Sequence, residues 1–447
     1  MNKRNFVKTT ATLTAGVIFP ALPGCKEENK EPISNWAGNL TYHTKNIHFP
    51  ENLDELTSII KKQKKVKILG TQHCFSDIAD SSFLLISTKN LNRVLSIDKI
   101  KNTVTVEAGI KYGTLAEYLY KEGYALNNLA SLPHISVAGA CATATHGSGI
   151  NNGNLATQVV GLELILADGS VKSLSREKDG DIFNAVVVNL GALGAVSKMT
   201  LSIEPHFNIR QDVFENLAVD ELEKNFESVL GAGYSVSLFT DWMNNNVSEV
   251  WVKSKVAEEI EFIPRLEIFG AKPATRNMHP IVELDAINCT DQMGVPGPWH
   301  ERLPHFKMNF TPSSGKELQS EYFMPLENGI AAFKAINAYG SEWKNDLFIS
   351  EVRTASADDF WMSTAYKRAS FIIHFTWKQQ ENVYKLIPKV EALLKPFGAK
   401  PHWGKLFTFD GSYLQSMYPR FQDFVTLTKE FDPNGKFRND YLERILS

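Results

Sequence analysis

The chain reads as an α+β protein of two domains, and three features point that way. Between residues 33 and 205, short strand-like apolar runs alternate with stretches whose apolar residues recur at helical spacing. Glycine and small polar residues punctuate those runs and mark turns. Beyond residue 205 the texture shifts. Trp, Met and Phe become frequent and prolines cluster between 295 and 304, which marks a mixed α/β second domain over 206–405 and a closing segment over 406–447. A chain of 447 residues can bury two cores. Its 43% hydrophobic and 22% charged content and net charge of -3 are ordinary for a globular protein. With no basic excess to neutralise phosphates, nucleic acid is not an expected partner.

Residues 1–32 stand apart. Lys3-Arg4-Asn5-Phe6-Val7-Lys8 opens a basic segment, and residues 9–22 are mostly apolar or small, too short to span a bilayer and suited to a signal peptide. The opening is similar to a twin-arginine signal with Lys in place of the first arginine, a route that exports folded proteins. Leu22-Pro23-Gly24-Cys25 resembles a lipobox with Cys25 as the lipidated residue, the alternatives being a plain cleaved signal or an irregular tail. Either signal reading places an exported chain on the periplasmic side of the membrane, with polar residues 26–32 as a tether. The other cysteines, Cys74, Cys141 and Cys289, show no CxxC or histidine spacing for a metal. Buried free thiols are expected, and no metal.

Taken in order, the elements are these. Apolar Leu53, Leu56, Ile59 and Ile60 predict a helix over 52–62. Strands follow over 66–69, 83–86 and 103–107, the last alternating apolar and polar. A helix over 113–121 ends at Gly123. Residues 161–166 and 171–174 flank Asp168-Gly169 as a hairpin, and 194–201 closes the unit as a strand.

Two loops interrupt this pattern. Ile68-Leu69-Gly70-Thr71-Gln72-His73-Cys74 leaves a strand and turns at Gly70, where backbone N–H groups can face an anionic ligand. The second runs Ser136-Val137-Ala138-Gly139-Ala140-Cys141-Ala142-Thr143-Ala144-Thr145-His146. Neither closes with Gly-Lys-Ser/Thr or carries G-x-G-x-x-G. Two small-residue loops, each with a histidine, suggest one bulky cofactor gripped from two sides.

Together the loops resemble the PCMH-type flavin domain of the vanillyl-alcohol oxidase superfamily, in its alditol and aldonolactone oxidase branch. The resemblance covers the first domain, with Leu132-Pro133-His134-Ile135 among its specific pieces. Phe431-Asp432-Pro433-Asn434-Gly435-Lys436-Phe437-Arg438-Asn439 matches the family's closing signature, a segment that packs back on the flavin domain. The resemblance implies FAD bonded covalently to His73. Around it the same resemblance places Ile68, Leu69, Gly70, Thr71, Gln72, Cys74, Ser131, Ser136, Gly139, Thr143, Thr145, His146, Val196 and Lys405. Gln72 and Cys74 depart from the glycine and serine common in the family.

Polar groups in the second domain fall into four pieces: Leu318-Gln319-Ser320-Glu321, Glu351-Val352-Arg353-Thr354, His374-Phe375-Thr376 and His402-Trp403-Gly404-Lys405. Glu351 and Arg353 are two apart, as are His374 and Thr376, so on strands each pair shares a face. The apolar runs Leu347-Phe348-Ile349 and Phe371-Ile372-Ile373 ahead of them support strands. An ordinary surface ion pair would give the same spacing. The resemblance instead implies a substrate pocket made by Ser131, Gln319, Glu351, Arg353, His374, Thr376 and Lys405. A carboxylate there accepts from paired hydroxyls while Arg353 and Lys405 donate, and such a site rejects molecules that lack the hydroxyls. Arg353 and Lys405, with Glu351, are the expected catalytic groups, the two cations stabilising charge that develops during hydride transfer.

The expected protein is a monomeric, exported FAD-dependent oxidase. It takes a polyol such as xylitol or sorbitol at a terminal hydroxyl and reduces oxygen to hydrogen peroxide. The alternative is an aldonolactone oxidase or dehydrogenase using oxygen or another acceptor. A non-catalytic sugar-binding lipoprotein on a decayed flavin fold is a third reading, disfavoured because His73 and Lys405 are both retained.

Overall fold

Asn52 begins the ordered architecture by capping the helix Leu53–Lys62, its side chain accepting from the Glu55 backbone N–H. Asp54 and Glu55 lie at the positive end of that helix and Lys61 and Lys62 at the other, while Leu56 and Ile60 enter the core. Next comes a three-stranded parallel sheet in which Leu85–Ser87 sits between Ile47–His48 and Lys67–Leu69. The computed structural model of the chain describes residues 31–257, 265–310 and 316–447. The export features Lys3, Arg4 and Cys25 lie outside them.

Two strand boundaries differ from the sequence reading for a physical reason. The strand expected over 83–86 forms at Leu85–Ser87. The Phe83 carbonyl accepts from Thr44 Oγ1 at 2.9 Å, and its N–H donates to Ser81 Oγ at 3.1 Å, so side chains take the place of a ladder there. Val66, expected in the strand before His73, donates its N–H to Lys436 O at 2.9 Å and stands outside Lys67–Leu69.

A five-stranded antiparallel sheet follows, in the order Val94–Asp98, Thr103–Glu107, Ala195–Ser202, Val159–Ile165, Val171–Ser175. The hairpin at Asp168-Gly169 is present, with Gly169 at φ +80, a left-handed turn position that suits glycine. A nine-stranded sheet is built from strands between Asn208 and Pro401. Its centre sets Ser235–Thr240, Leu347–Ala355, Ser370–Lys378 and Glu317–Pro325 side by side and antiparallel.

Pro32–Ser447 makes up one compact unit with two large hydrophobic clusters. One cluster gathers Val104, Leu164, Met199 and Leu201 with Phe424, Leu427, Tyr441 and Leu442 from the closing helices. The other lies on the nine-stranded sheet, around Leu238, Val352, Phe375 and Trp377. The closing segment is tied to the first loop directly. Asn439 Nδ2 donates to Asp77 O at 3.2 Å, Ile78 O at 3.1 Å and Asp80 O at 2.9 Å. Among the described residues no helix is long and apolar enough to cross a membrane, and Cys74, Cys141 and Cys289 are free thiols.

Candidate active site

The two histidine-bearing loops touch. Ser136 donates its backbone N–H to Thr71 Oγ1 at 3.2 Å. A Cβ at Gly70 would come within 2.6 Å of Ser136 Oγ on the other loop, so glycine there lets the loops close, and within the second loop a Cβ at Gly139 would come within 2.8 Å of the same oxygen. Gln72, between them, has φ +64, a left-handed conformation costly for a side-chain-bearing residue, and its carbonyl accepts from Trp36 N–H at 2.8 Å. His73 stacks on Trp36 with ring centroids 5.3 Å apart. Burial drives its pKa down to about 3, so the imidazole is neutral, and its buried Nδ1 has no hydrogen-bond partner.

Below these loops lies a cavity with about 1630 Å³ of space free of atoms, its open mouth included. The first loop lines it from Ile68 through Leu69, Gly70, Thr71, Gln72 and His73 to Cys74. Ser131, Ser136, Gly139, Thr143, Thr145 and His146 form a second wall. Also lining it are Gln319, Glu351, Arg353, His374 and Thr376 from the larger sheet and Lys405 from the turn after Lys400–Pro401. Val196 does not line the cavity. It is buried within Ala195–Ser202, paired across the sheet with Leu164, and packs in the hydrophobic cluster.

The larger sheet contributes by register. Glu351 faces His374 on one neighbouring strand, and His374 faces Glu321 on the next, so one cross-strand row presents two carboxylates and an imidazole. Arg353, one step along, donates from Nη2 to Glu321 Oε1 at 2.7 Å and from Nη1 to Ser131 Oγ at 3.2 Å. His146 Nε2 lies 3.1 Å from the same Glu321 oxygen, and His374 Nδ1 lies 3.5 Å from it. Burial opposes the charge on Glu321, yet His146, His374 and Arg353 outweigh it and hold the carboxyl well below its usual range. Glu351 behaves alike. Burial is overcome by Arg353 and by His305, whose Nε2 is 2.7 Å from Glu351 Oε1. Lys405 donates to Gln319 Oε1 and lies 4.9 Å from the Phe75 ring centroid, its pKa lowered by burial. Gln319 therefore steadies Lys405.

Sequence reasoning named Glu321 and His402 within its polar pieces but gave them no role, and it passed over His305; all three are on the cavity wall. Glu321 carried a usable signal, since it continues the two-residue step from Gln319. His305 comes from the proline-rich stretch, and the segment around His402 arrives beside Glu321 through its N–H bond to Glu321 O at 2.9 Å. Neither has a periodic signal.

Known proteins resemble this chain in sequence and fold. Residues 45–175 match the family model of an FAD binding domain, and residues 307–445 match that of D-arabinono-1,4-lactone oxidase. The chain is 42% identical to an alditol oxidase from Streptomyces sp., over 93% of this chain and 99% of that protein. It belongs to the vanillyl-alcohol oxidase superfamily, in its alditol and aldonolactone oxidase branch. Another relative in that branch is L-gulono-1,4-lactone dehydrogenase from Mycobacterium tuberculosis, 30% identical over 92% of this chain and 98% of its own length. The superfamily fold recurs in solved structures. Cholesterol oxidase from B. sterolicum gives a TM-score of 0.76 at 13% identity, covering 93% of this chain and 96% of its own. Carbohydrate oxidase from Microdochium nivale gives 0.72 at 16% identity, covering 96% and 97%. The α+β reading, the FAD-binding domain and the oxidoreductase class follow from these likenesses.

The residues present fit the superfamily's cofactor. The loops meet at small side chains and leave a large cavity beneath them, and the unpartnered ring nitrogen of His73 is buried at its wall.

Proposed function

We propose that this flavoprotein oxidises a polyol at a terminal hydroxyl, with oxygen as electron acceptor. FAD, held by the two loops, would supply the hydride acceptor and the path of electrons to oxygen, with hydrogen peroxide as the reduced product. The observation that carries the reading is the row Glu351–His374–Glu321 with Arg353 beside it, facing the same cavity as His73. The likeness to an alditol oxidase supports it.

Each side chain has a part that its geometry suits. Glu321 is already engaged by Arg353 and His146, so it fixes the guanidinium and leaves hydroxyl acceptance to Glu351. Arg353 and Lys405 are the donors for the oxygen that loses its hydrogen, and a donor placed in advance in a water-poor site favours the charge that develops there. Ser131, His374 and Thr376 complete the polar lining for a chain of hydroxyls. His73, neutral and unpaired at Nδ1, is the residue that would hold the flavin covalently.

A lactone substrate is the second reading, favoured by the match of residues 307–445 to D-arabinono-1,4-lactone oxidase. Anaerobic mixing with xylitol, sorbitol or galactonolactone separates the two. Xylitol or sorbitol should bleach the flavin at least tenfold faster than the lactone, and air should restore it with one peroxide per turnover. Bleaching by the lactone alone would replace the polyol reading. Colour that returns only with an added dye would make the protein a dehydrogenase.

The reading also includes export as a lipoprotein through Lys3-Arg4 and Cys25, as a monomer. In cell fractionation Cys25→Ser should move the protein from the membrane fraction to the soluble exported fraction. Full-length protein retaining Met1 in the cytosol would overturn this.

A further inference from the structure

Behind the cavity wall lies a lysine with no part in the chemistry above. Lys253 is on the strand Asn246–Val256 and 1% exposed. Its Nζ donates to Leu303 O, to Pro304 O at 3.1 Å and to His305 Nδ1 at 3.1 Å. Those three partners use the three N–H groups of an ammonium. His305 Nδ1 is then an acceptor, and the ring proton of a neutral imidazole must sit on Nε2, where it is donated to Glu351 Oε1 at 2.7 Å. Burial and the neighbouring Lys253 hold His305 down at about 4, which keeps the ring neutral. Phe239 and Trp251 meet the ring edge-on, with centroids 5.6 Å and 5.2 Å away, and fix its plane.

The opposite tautomer is disfavoured at both ends. It would set an N–H against the ammonium and a lone pair against the carboxylate. Glu351 Oε1 is occupied by His305 and lies 3.4 Å from Arg353 Nε, so Oε2 is the oxygen left for a ligand. The other groups in range are His374 on the neighbouring strand, Ser237 Oγ at 3.4 Å from His305 Nε2, and Cys289, whose thiol burial pushes up to about 12 and keeps neutral.

We propose that Lys253 is a positioning residue for polyol recognition: acting through His305, it locks the tautomer that orients Glu351 as an ionised acceptor for substrate hydroxyls. The proposal rests on the reading of Glu351 as the carboxylate that binds the polyol. Lys253 itself touches no substrate. It acts at one remove, as groups behind a metal or catalytic histidine commonly do.

The test has two arms on the flavin-loaded enzyme at pH 6, below the value of about 7 to which burial brings Lys253. In the first, nitrogen NMR of histidine-labelled protein reads the His305 ring, assigned by its loss in His305→Gln. The wild type should show Nε2 protonated and Nδ1 bare, and Lys253→Met should show a mixture. In the second, stopped-flow reduction by xylitol separates binding from chemistry. Lys253→Met and His305→Leu should each raise the half-saturating polyol concentration roughly tenfold, with a smaller change in the limiting rate. His305→Gln, whose amide can accept from Lys253 and donate to Glu351, should recover most of that loss.

A wild-type ring protonated on Nδ1 overturns the proposal. So does a folded Lys253→Met enzyme whose half-saturation lies within twofold of wild type, or a His305→Gln enzyme as poor as His305→Leu. Should Lys253→Met not fold, the two His305 variants decide. If no polyol reduces the wild-type flavin, the functional reading fails instead, and the ring spectrum still shows whether Lys253 sets the tautomer.

Discussion

His73 shows how much one residue's surroundings determine. A neutral ring stacked on Trp36, with Nδ1 buried and unpaired, has a ring nitrogen that no protein group competes for, and in the tautomer protonated on Nε2 that nitrogen is a nucleophile. Covalent attachment at this atom predicts that acid-precipitated wild-type protein keeps its yellow colour and fluoresces on a gel. His73→Ala should fold, yet give up all its flavin to the supernatant. Colourless wild-type precipitate would exclude the bond. Both His73 and the Glu351/Arg353 pair could be singled out from sequence, one by a motif and the other by the two-residue step along a strand. Glu321 shares such a step with Gln319, but the step does not rank it. Its importance comes from Arg353, His146 and His374 converging on one oxygen, and they come from separate parts of the chain. Val196, expected beside the cofactor from the resemblance, turns its side chain into the hydrophobic cluster, a packing that the motif position alone does not encode.

Among the elements, local ones were legible and distant pairings were not. The strand Thr103–Glu107 has the bounds its alternation predicts, with Val104 and Val106 in the core, and the hairpin at Asp168-Gly169 follows from its turn chemistry. The neighbour of Ser235–Thr240 is Leu347–Ala355, a pairing across the intervening chain that no local pattern encodes. The closing helix Asp440–Leu446 lies between these cases. Its N-cap Asn439 accepts from Leu442 N–H through one side-chain atom and donates to three carbonyls of the first loop through another. Asn439→Ala removes the cap and leaves those carbonyls short of a donor, at a cost of about 2–3 kcal/mol. Chemical denaturation should show that loss, and flavin incorporation should fall with it. An unchanged midpoint would mean that water replaces the amide without penalty.

At the scale of the whole molecule, buried titratable groups set a pH window. His305 at about 4 and His402 at about 3 stay neutral in the fold, while an unfolded histidine takes up a proton below about 6.5. The unfolded chain then binds more protons, so stability falls on acidification from there, and the depressed Glu321 and Glu351 extend the loss below about 4.5. Lys67 and Lys253, at about 7, release protons that the unfolded chain keeps to about 10.5, so stability rises from pH 7 upward. Cys141 and Cys289, at about 12, keep protons that an unfolded thiol loses near 9, which lowers stability beyond that point. Glu249 and Asp358, raised by burial to about 7 and about 6, act in the opposite sense but are outnumbered by the depressed histidines and lysines. The thermal midpoint should therefore climb between about pH 5 and 8 and decline above about 9.5. A flat profile would show that these groups find compensation in the unfolded state. The tie between Asn439 and Ile78, 361 residues apart, has a consequence for biogenesis. At ~5–20 residues per second, a ribosome that has made the His73 loop needs ~20–70 s more before its clamp exists. Through that interval the turn after the His73 loop lacks its Asn439 donor, so any binding that needs this clamp waits until residue 439 has been made.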